Sequence, residues 1–317
     1  MTETNTDFHK VSYDLHRAYR ADHNDKVKLK SWTDESTVDA WRHQRLYSNL
    51  DILLSEFPKA SWLTVGDGRY GTDAHYIEGK GLDVLATDIA EHNLRMAHED
   101  GFISKFKVEN VENLSFDDGQ FDFTLCKESY HHFPRPMIGL YEMLRVSSKG
   151  IALIDTNDNH ILTTAKTKLM PPGMLLWRSL KYYIKHLLGR PRYSIFGEVD
   201  LEADYEPVGN YVFSVSEREL IKVALGLNLD MIAFKELNDH YVDGVEFEKL
   251  DESSALFKEV KRVIDERDSL CEKGLKGYTH IISLIFKKKP SVECIELLKK
   301  DGFRIKMLPK NPYITEK

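Results

Sequence analysis

Apolar and polar positions alternate along the chain in blocks that predict strands and helices in turn. An apolar run at residues 62–65 ends in a turn rich in glycine, and a helical pattern then covers residues 72–79. A second apolar run, residues 84–86, ends shortly before Asp88. This order predicts a strand, a glycine turn, a helix and a second, parallel strand with a carboxylate at its tip.

The same alternation continues through most of the chain. Further strands are predicted at residues 106–108, 121–126, 151–154, 231–234 and 280–286. Helices are predicted at residues 38–57, 90–100, 136–146, 216–225, 253–272 and 291–300. Because strands alternate with helices, the pattern predicts an α/β protein with a mainly parallel sheet.

Composition and charge narrow the functional classes. The 317 residues are 42% hydrophobic and 11% aromatic, which is ample for a globular core. A net charge of -7 argues against general nucleic-acid binding, so we expect no nucleic-acid partner. The cysteines, Cys126, Cys271 and Cys294, are too widely spaced to predict a disulfide framework or a zinc site. The amino terminus has no apolar secretion signal and no run is long enough to cross a membrane, so we expect a cytoplasmic protein.

The glycine turn has the composition of a nucleoside-binding site. Gly66, Gly68 and Gly71 are spaced G-x-G-x-x-G, and Asp88 follows Gly66 by twenty-two residues. Glycines let a ligand lie against the backbone, and a carboxylate can accept both hydroxyls of a ribose. This spacing fits a dinucleotide site as well as an S-adenosylmethionine site, and a turn that binds nothing is the third alternative.

Several segments, taken in order, carry a resemblance to a known family. They are strand-G-D-G-R-Y-G, the acid at Asp88, E-N-V-E-N-L-S-F-D-D-G-Q-F-D, E-S-Y-H-H-F-P-R-P and L-Y-E-M-L-R-V-S-S-K-G. Over residues 62 to about 157 they resemble the successive motifs of class I S-adenosylmethionine-dependent methyltransferases. The resemblance implies an S-adenosylmethionine cofactor and a Rossmann-like doubly wound sheet of seven strands whose last strand is antiparallel.

The resemblance also implies which residues contact the cofactor. They are Gly66, Asp67, Gly68, Gly71, Asp88, Ile89, Asn110, Val111 and Lys127. Two positions depart from the family's pattern: Thr64 stands where an acid is usual, and Asn110 stands where Asp is frequent. Thr64 weakens the expected contact to the methionine amino group, whereas Asn110 keeps an acceptor for the adenine amine.

The candidate catalytic residues follow the fourth and fifth strands, whose carboxyl ends border the ligand crevice of an open parallel sheet. His131 is the predicted general base, His132 is the alternative base, and Asp155 orients the base or contacts the substrate hydroxyl. Similar natural-product sugar O-methyltransferases place a His and an Asp at these strand ends. The other interpretation is that one histidine caps the next helix and the other packs in the fold. A metal is optional for methyl transfer, and no metal site is predicted.

The chain divides into five predicted segments. They are an N-terminal arm and helix (1–60), a cofactor-binding core (61–156), an insertion (157–213), the remainder of the core (214–290) and a C-terminal helix and tail (291–317). The insertion has no acid between Asp158 and Glu198, and residues 161–192 are basic with an amphipathic part. That stretch predicts either a substrate lid or a peripheral membrane contact.

The sequence therefore predicts an enzyme that transfers a methyl group from S-adenosylmethionine to an oxygen of a small polar acceptor. A sugar or a glycosylated metabolite is the candidate class. A second interpretation, based on the basic stretch, is a methyltransferase of a lipid or lipid-linked acceptor at a membrane surface. A third, based on Thr64 and Asn110, is a non-catalytic protein that keeps the fold. The pattern predicts no particular oligomeric state.

Overall fold

A single sheet organises the computed structural model, which describes residues 7–23, 26–158, 205–206 and 208–313. Its eight strands are β1 Ser61–Val65, β2 Asp83–Asp88, β3 Phe106–Val108, β4 Phe121–Lys127, β5 Ser147–Thr156, β6 Met231–Leu237, β7 His280–Phe286 and β8 Arg304–Met307. Their order in the sheet is β3-β2-β1-β4-β5-β7-β6-β8. Strands β1 to β5 are parallel, β7 is antiparallel to both β5 and β6, and β8 is antiparallel to β6.

The strand order reverses between β1 and β4, and this reversal fixes the position of the site. Val65, the last residue of β1, pairs with Thr87 of β2 on one side and with Cys126 of β4 on the other. In open parallel sheets, ligands bind outside the carboxyl ends of the strands at such a switch point. The glycine turn after β1 therefore lies between the end of β2 and the loop after β4.

Ten α-helices accompany the sheet in the described part of the chain. They are α1 Phe8–His23, α2 Lys26–Ser31, α3 Val38–Tyr47, α4 Asp51–Glu56, α5 Thr72–Gly79, α6 Glu91–Glu99, α7 Pro136–Val146, α8 Glu217–Gly226, α9 Ala255–Glu272 and α10 Val292–Lys300. Short 3-10 turns lie at Ser48–Leu50 and Tyr130–His132. Helices between successive parallel strands make the doubly wound arrangement that the sequence predicts.

The single helix predicted over residues 38–57 is wrong, because a 3-10 turn separates α3 from α4. Asn49 supplies the physical reason. Its side-chain amide donates to the carbonyl of Arg45 at 2.7 Å and to the carbonyl of Leu46 at 3.0 Å. A side chain that satisfies the free carbonyls of a last helical turn favours an end to the helix there.

The core has a layer on each face of the sheet, because successive side chains of a strand point to opposite sides. Trp62 and Phe123 stack on one face at 4.9 Å between ring centroids, where α4 and α5 also pack. Leu63 and Val65 lie on the other face, against residues of α7 and α8. The apolar run that begins β1 is therefore buried on both sides.

The predicted seven-stranded arrangement is confirmed, and the sheet has one more strand. β8 pairs with β6 in the segment for which the sequence predicted only a helix and a tail. The predicted lid or membrane contact at residues 161–192 lies outside the described residues. Among the helices that the structure describes, none has the length and apolar character needed to span a bilayer.

Candidate active site

The glycine turn packs so tightly that its first two glycines leave no space for a side chain. A Cβ at Gly66, whose φ is +70°, would lie 2.4 Å from the Cβ of Ser129. A Cβ at Gly68 would lie 2.7 Å from a carboxylate oxygen of Asp88. The turn is thus held against the end of β2 and the loop after β4, which brings Gly68 and Asp88 together as the sequence predicts.

Gly71 and Asp67 have roles within the turn itself. Gly71 has a φ of +70° and precedes α5, and a Cβ there would lie 2.7 Å from Ile103. The buried carboxylate of Asp67 accepts hydrogen bonds from the backbone N–H groups of Asp73 and Ala74 at 3.1 and 3.0 Å. Both residues order the start of α5, and their predicted cofactor contacts stay predictions.

Thr64 departs from the family's pattern, and the structure shows what its side chain does. Its hydroxyl donates to the Asp67 carboxylate at 2.8 Å. Burial and the nearby charge of Asp73 raise the pKa of the Asp67 carboxyl well above its usual value. A neutral donor at position 64 suits this buried carboxylate, whereas a second acid there would repel it.

A first cavity, which we name the nucleoside crevice, lies outside the ends of β1 and β2. Its walls include these predicted cofactor residues: Gly66, Asp88, Ile89, Asn110 and Val111. Asp88 accepts a hydrogen bond from the backbone of Ala90 at 2.7 Å, and Asn110 accepts one from the backbone of Glu112 at 3.0 Å. The crevice thus combines oxygen acceptors with apolar walls, the combination that a ribose and an adenine need.

The N-terminal helix α1 forms part of this crevice, which the sequence did not predict. Tyr13 lines the crevice, and its hydroxyl donates to the carboxylate of buried Glu112 at 2.5 Å. Arg135 donates to the same carboxylate through its side chain at 2.6 Å and through its backbone at 2.7 Å. Through this hydrogen-bonded group, α1 is fixed over the crevice.

A second cavity, which we name the polar cavity, begins where the first one ends. Its volume is about 330 Å³, and it shares Gly66 and Ser129 with the nucleoside crevice. Half of its lining residues have ionisable side chains: Arg42, Asp67, Arg69, Asp73, Lys127 and Glu128. A ligand whose nucleoside lies in the first cavity could therefore extend past Gly66 into a polar and charged space.

His131 and Asp155 meet at the polar cavity. His131 Nδ1 lies 2.6 Å from Asp155 Oδ1, and His131 lines the cavity. Asp155 is fully buried and also accepts hydrogen bonds from the backbone of Tyr130 at 3.0 Å and of Thr156 at 2.6 Å. Because Nδ1 is engaged with Asp155, Nε2 is the ring nitrogen that can exchange a proton with a ligand.

The pair also sets the protonation of the imidazole. Burial alone would lower the pKa of His131, but the charge and hydrogen bond of Asp155 outweigh it and raise that pKa above the usual value. Burial alone would raise the pKa of Asp155, but His131 and the backbone of Thr156 lower it. Asp155 thus stays ionised and holds His131 in one orientation.

His132 occupies a different place from His131. It lines the nucleoside crevice, and its Nδ1 lies 2.7 Å from a carboxylate oxygen of Glu206. Its ring centroid lies 3.9 Å from that of His131. Of the two candidate bases, His131 lines the polar cavity and His132 lines the nucleoside crevice.

Lys127 lies at the end of β4 and is almost fully buried. Its ammonium lies 2.8 Å from Glu128 Oε2 and 3.8 Å from Asp73 Oδ1. Burial alone would raise the pKa of the Glu128 carboxyl, but the charge of Lys127 outweighs it and holds that pKa well below its usual value. Lys127 is thus a buried cation in the polar cavity, and its predicted cofactor contact stays a prediction.

Helix α3 contributes residues to the polar cavity that the sequence did not assign to a site. Arg42 and His43 line it together with Arg69 of the glycine turn, which donates to His43 Nε2. Burial and the charges of Arg69 and Lys127 lower the pKa of His43 to about 4. His43 is therefore neutral near pH 7.

Three possible metal ligands cluster beside the same cavity. One ligand atom from each of Glu128, Asp239 and His280 lies within 4.8 Å of the others. Asp239 is already paired with Arg42, and Glu128 is paired with Lys127. The local charge is thus balanced by side chains, and the absence of a metal stays a prediction.

The sheet order, the glycine turn after β1 and the carboxylate at the end of β2 form the arrangement that nucleoside-binding α/β proteins use. Comparisons with known proteins identify the family. A family model described as a methyltransferase domain matches residues 63–154. The matched methyltransferase domain extends from β1 to β5, which is the part of the chain that carries the predicted resemblance. For this domain the predicted methyltransferase family and its cofactor, S-adenosylmethionine, are confirmed.

Individual relatives are distant. The 2-methyl-6-phytyl-1,4-hydroquinone methyltransferase of Synechocystis sp. is 28% identical over 123 residues, which are 38% of this chain. The chain spans 38% of that relative's length. A solved SAM-dependent methyltransferase from Archaeoglobus fulgidus is 14% identical, with a TM-score of 0.47, over 83% of this chain and 100% of its own. One from Aquifex aeolicus is 21% identical, with a TM-score of 0.32, over 42% of this chain and 74% of its own.

The placement of Asp88 gives a testable prediction. Asp88→Ala should weaken S-adenosylhomocysteine binding by about 1–3 kcal/mol, or roughly 5- to 150-fold, because ribose hydroxyls would lose their acceptor. Isothermal titration calorimetry measures this change. The control is Asp83→Ala, at the exposed start of the same strand, which should leave the affinity unchanged. Equal affinity in all three proteins would show that Asp88 does not bind the ribose.

Proposed function

We propose that the protein transfers a methyl group from S-adenosylmethionine to a hydroxyl oxygen of a small polar acceptor, with a sugar or a glycosylated metabolite as the expected class. The observation that supports this most directly is the pair of His131 and Asp155. Its 2.6 Å contact lies at a polar cavity that adjoins the nucleoside crevice at Gly66 and Ser129. A base is thus available beside the place where the cofactor's reactive group would lie.

The chain's residues have separate tasks in this reaction. The cofactor supplies an activated methyl group on a positively charged sulfur. The nucleoside crevice binds its adenosine, and the polar cavity orients the acceptor hydroxyl toward the methyl group. Neutral His131 accepts the hydroxyl proton at Nε2, and Asp155 then stabilises the resulting imidazolium.

The charges of the polar cavity favour a polar acceptor. Arg42 is buried with Asp39 and Asp239 as partners, and Lys127 is buried with Glu128. An apolar acceptor group there would cover these groups without offering hydrogen bonds, which costs free energy. Hydroxyl groups of a sugar can donate to the carboxylates and accept from the cations.

A lipid-like acceptor is the second candidate. The curated relative from Synechocystis is named as a methyltransferase of a phytyl hydroquinone, which belongs to that class. The basic stretch at residues 161–192 gives the same indication. A single acceptor screen separates the two candidates. Methylation of sugars or glycosides would support the polar acceptor, and methylation of prenylated hydroquinones in anionic vesicles would support the lipid-like acceptor.

His131→Ala tests the catalytic assignment. With an acceptor from the screen, kcat should fall by about 100- to 10,000-fold, because the general base is lost. Affinity for S-adenosylhomocysteine should stay within about twofold of the wild type, since His131 lies outside the nucleoside crevice. Product formation is followed by mass spectrometry.

The control for this test is His240→Ala, which removes a histidine that lines neither cavity. Its kcat should match that of the wild type. Full activity of His131→Ala would remove this residue from the mechanism. A screen without any methylated product, in protein that binds S-adenosylhomocysteine, would favour the non-catalytic interpretation.

The pKa of His131 predicts the pH dependence. Only neutral imidazole accepts a proton, so kcat should be low in acid and rise with pH through a midpoint above 6.5, the usual histidine value. Asp155→Asn removes the charge that raises this pKa, and the midpoint should move to lower pH. Profiles of kcat from pH 5 to 9 measure both. A midpoint that stays the same in Asp155→Asn would contradict the assignment.

A further inference from the structure

A third cavity of about 510 Å³, which we name the aromatic cavity, lies between α2 and α3 on one side and α5 on the other. Its walls carry six aromatic rings besides that of His43: Trp32, Trp41, Tyr47, His75, Tyr76 and Phe102. It lies outside the nucleoside crevice, with which it shares no residue. The proposed methyl transfer does not use the aromatic cavity.

The aromatic cavity adjoins the polar cavity. The two share Trp32, His43 and Arg69. Arg69 donates hydrogen bonds to Asp39 and His43, and its guanidinium carbon lies 5.3 Å from the centroid of the Trp32 ring. The Arg69 side chain forms part of the wall between the two cavities and is 29% exposed. The two cavities are therefore neighbours that meet at Arg69.

The rings of the aromatic cavity are held in place by contacts with one another. Tyr47 stacks on Tyr76 with 4.6 Å between centroids, and His75 stacks on Phe102 with 3.8 Å. The hydroxyl of Tyr47 donates to Asp73 at 2.6 Å, and that of Tyr76 donates to Asp51 at 2.5 Å. The Lys127 ammonium lies 4.8 Å from the centroid of the Tyr47 ring, and the Lys80 ammonium lies 4.9 Å from the centroid of the Tyr76 ring. The two tyrosines therefore stiffen the wall, and the ring surface open to a ligand belongs to the other aromatic side chains. Such a preformed site suits a planar aromatic group.

We infer that the aromatic cavity binds an aromatic ring of the acceptor while the hydroxyl to be methylated lies beside His131 in the polar cavity. This inference rests on the proposed function and narrows its substrate class to aryl glycosides. The sugar meets the charged groups, and the aglycone meets the aromatic rings. Aromatic rings in contact gain free energy beyond the area that they bury, so the aglycone should contribute much of the affinity.

Gly79 allows a specific test. It is the last residue of α5, it lines the aromatic cavity, and a Cβ there would meet no atom within 4 Å. Gly79→Phe therefore places a ring at the cavity without straining the backbone. Gly226→Phe is the matched control, because Gly226 is the last residue of α8 and is equally unobstructed.

The probe is 4-methylumbelliferyl β-D-glucopyranoside, compared with methyl β-D-glucopyranoside, each titrated by calorimetry into the full chain saturated with S-adenosylhomocysteine. The wild type and Gly226→Phe should bind the aryl glucoside at least tenfold more tightly than the methyl glucoside. Gly79→Phe should lose this preference and keep its affinity for S-adenosylhomocysteine. Thermal unfolding of both variants checks that they are folded.

The absence of a preference for the aryl glucoside in the wild type would overturn the inference, and so would a preference that survives in Gly79→Phe. Neither result affects the proposed function, since the titration measures only the contribution of the aryl group to binding and no methyl transfer. The proposed function fails on a different result, the lack of methyl transfer to any acceptor by protein that binds S-adenosylhomocysteine.

Discussion

The rest of the site depends on the close contact between the glycine turn and the loop after β4. Ser129 donates to the carbonyl of Gly66 at 2.6 Å, and any side chain at position 66 would overlap Ser129. This contact joins the ends of β1 and β4 at the point where the strand order reverses. As a result the nucleoside crevice and the polar cavity share one wall, and a cofactor bound in the first can present its methyl group to the second. A side chain at Gly66 would push the two loops apart, and the nucleoside crevice would then be separated from the polar cavity.

Buried charges fix the other wall of the polar cavity. Arg42 of α3 pairs with Asp239 and with Asp39 of the same helix, and Asp39 also accepts a hydrogen bond from Arg69 of the glycine turn. Removal of one partner from a buried pair typically costs about 3–5 kcal/mol, because the other charge stays buried without compensation. These pairs therefore hold α3 against the glycine turn, so that α3 forms a fixed part of the cavity. At the nucleoside crevice, the hydrogen bond from Tyr13 to Glu112 holds α1 in a fixed position.

The residues that sequence analysis placed correctly are those whose position follows from local composition and sheet topology. The glycine turn follows one apolar run, and Asp88 follows the next. Because adjacent parallel strands end at the same edge of a sheet, the sequence predicts that the turn and Asp88 lie side by side. What the sequence did not predict depends on side chains that meet over long separations or on single hydrogen bonds. Tyr13 and Glu112 are 99 positions apart, and the end of α3 depends on the amide of Asn49. Neither contact leaves a periodic pattern in the sequence.

A crystal structure of the chain with S-adenosylhomocysteine tests the central claim most directly, namely that one ligand spans the nucleoside crevice and the polar cavity. We expect the ribose hydroxyls at Asp88, the sulfur beside Gly66 and the amino-acid tail in the polar cavity, with the sulfur open toward the side of His131. A ligand whose adenosine lies in the polar cavity, or whose sulfur faces away from His131, would contradict this account.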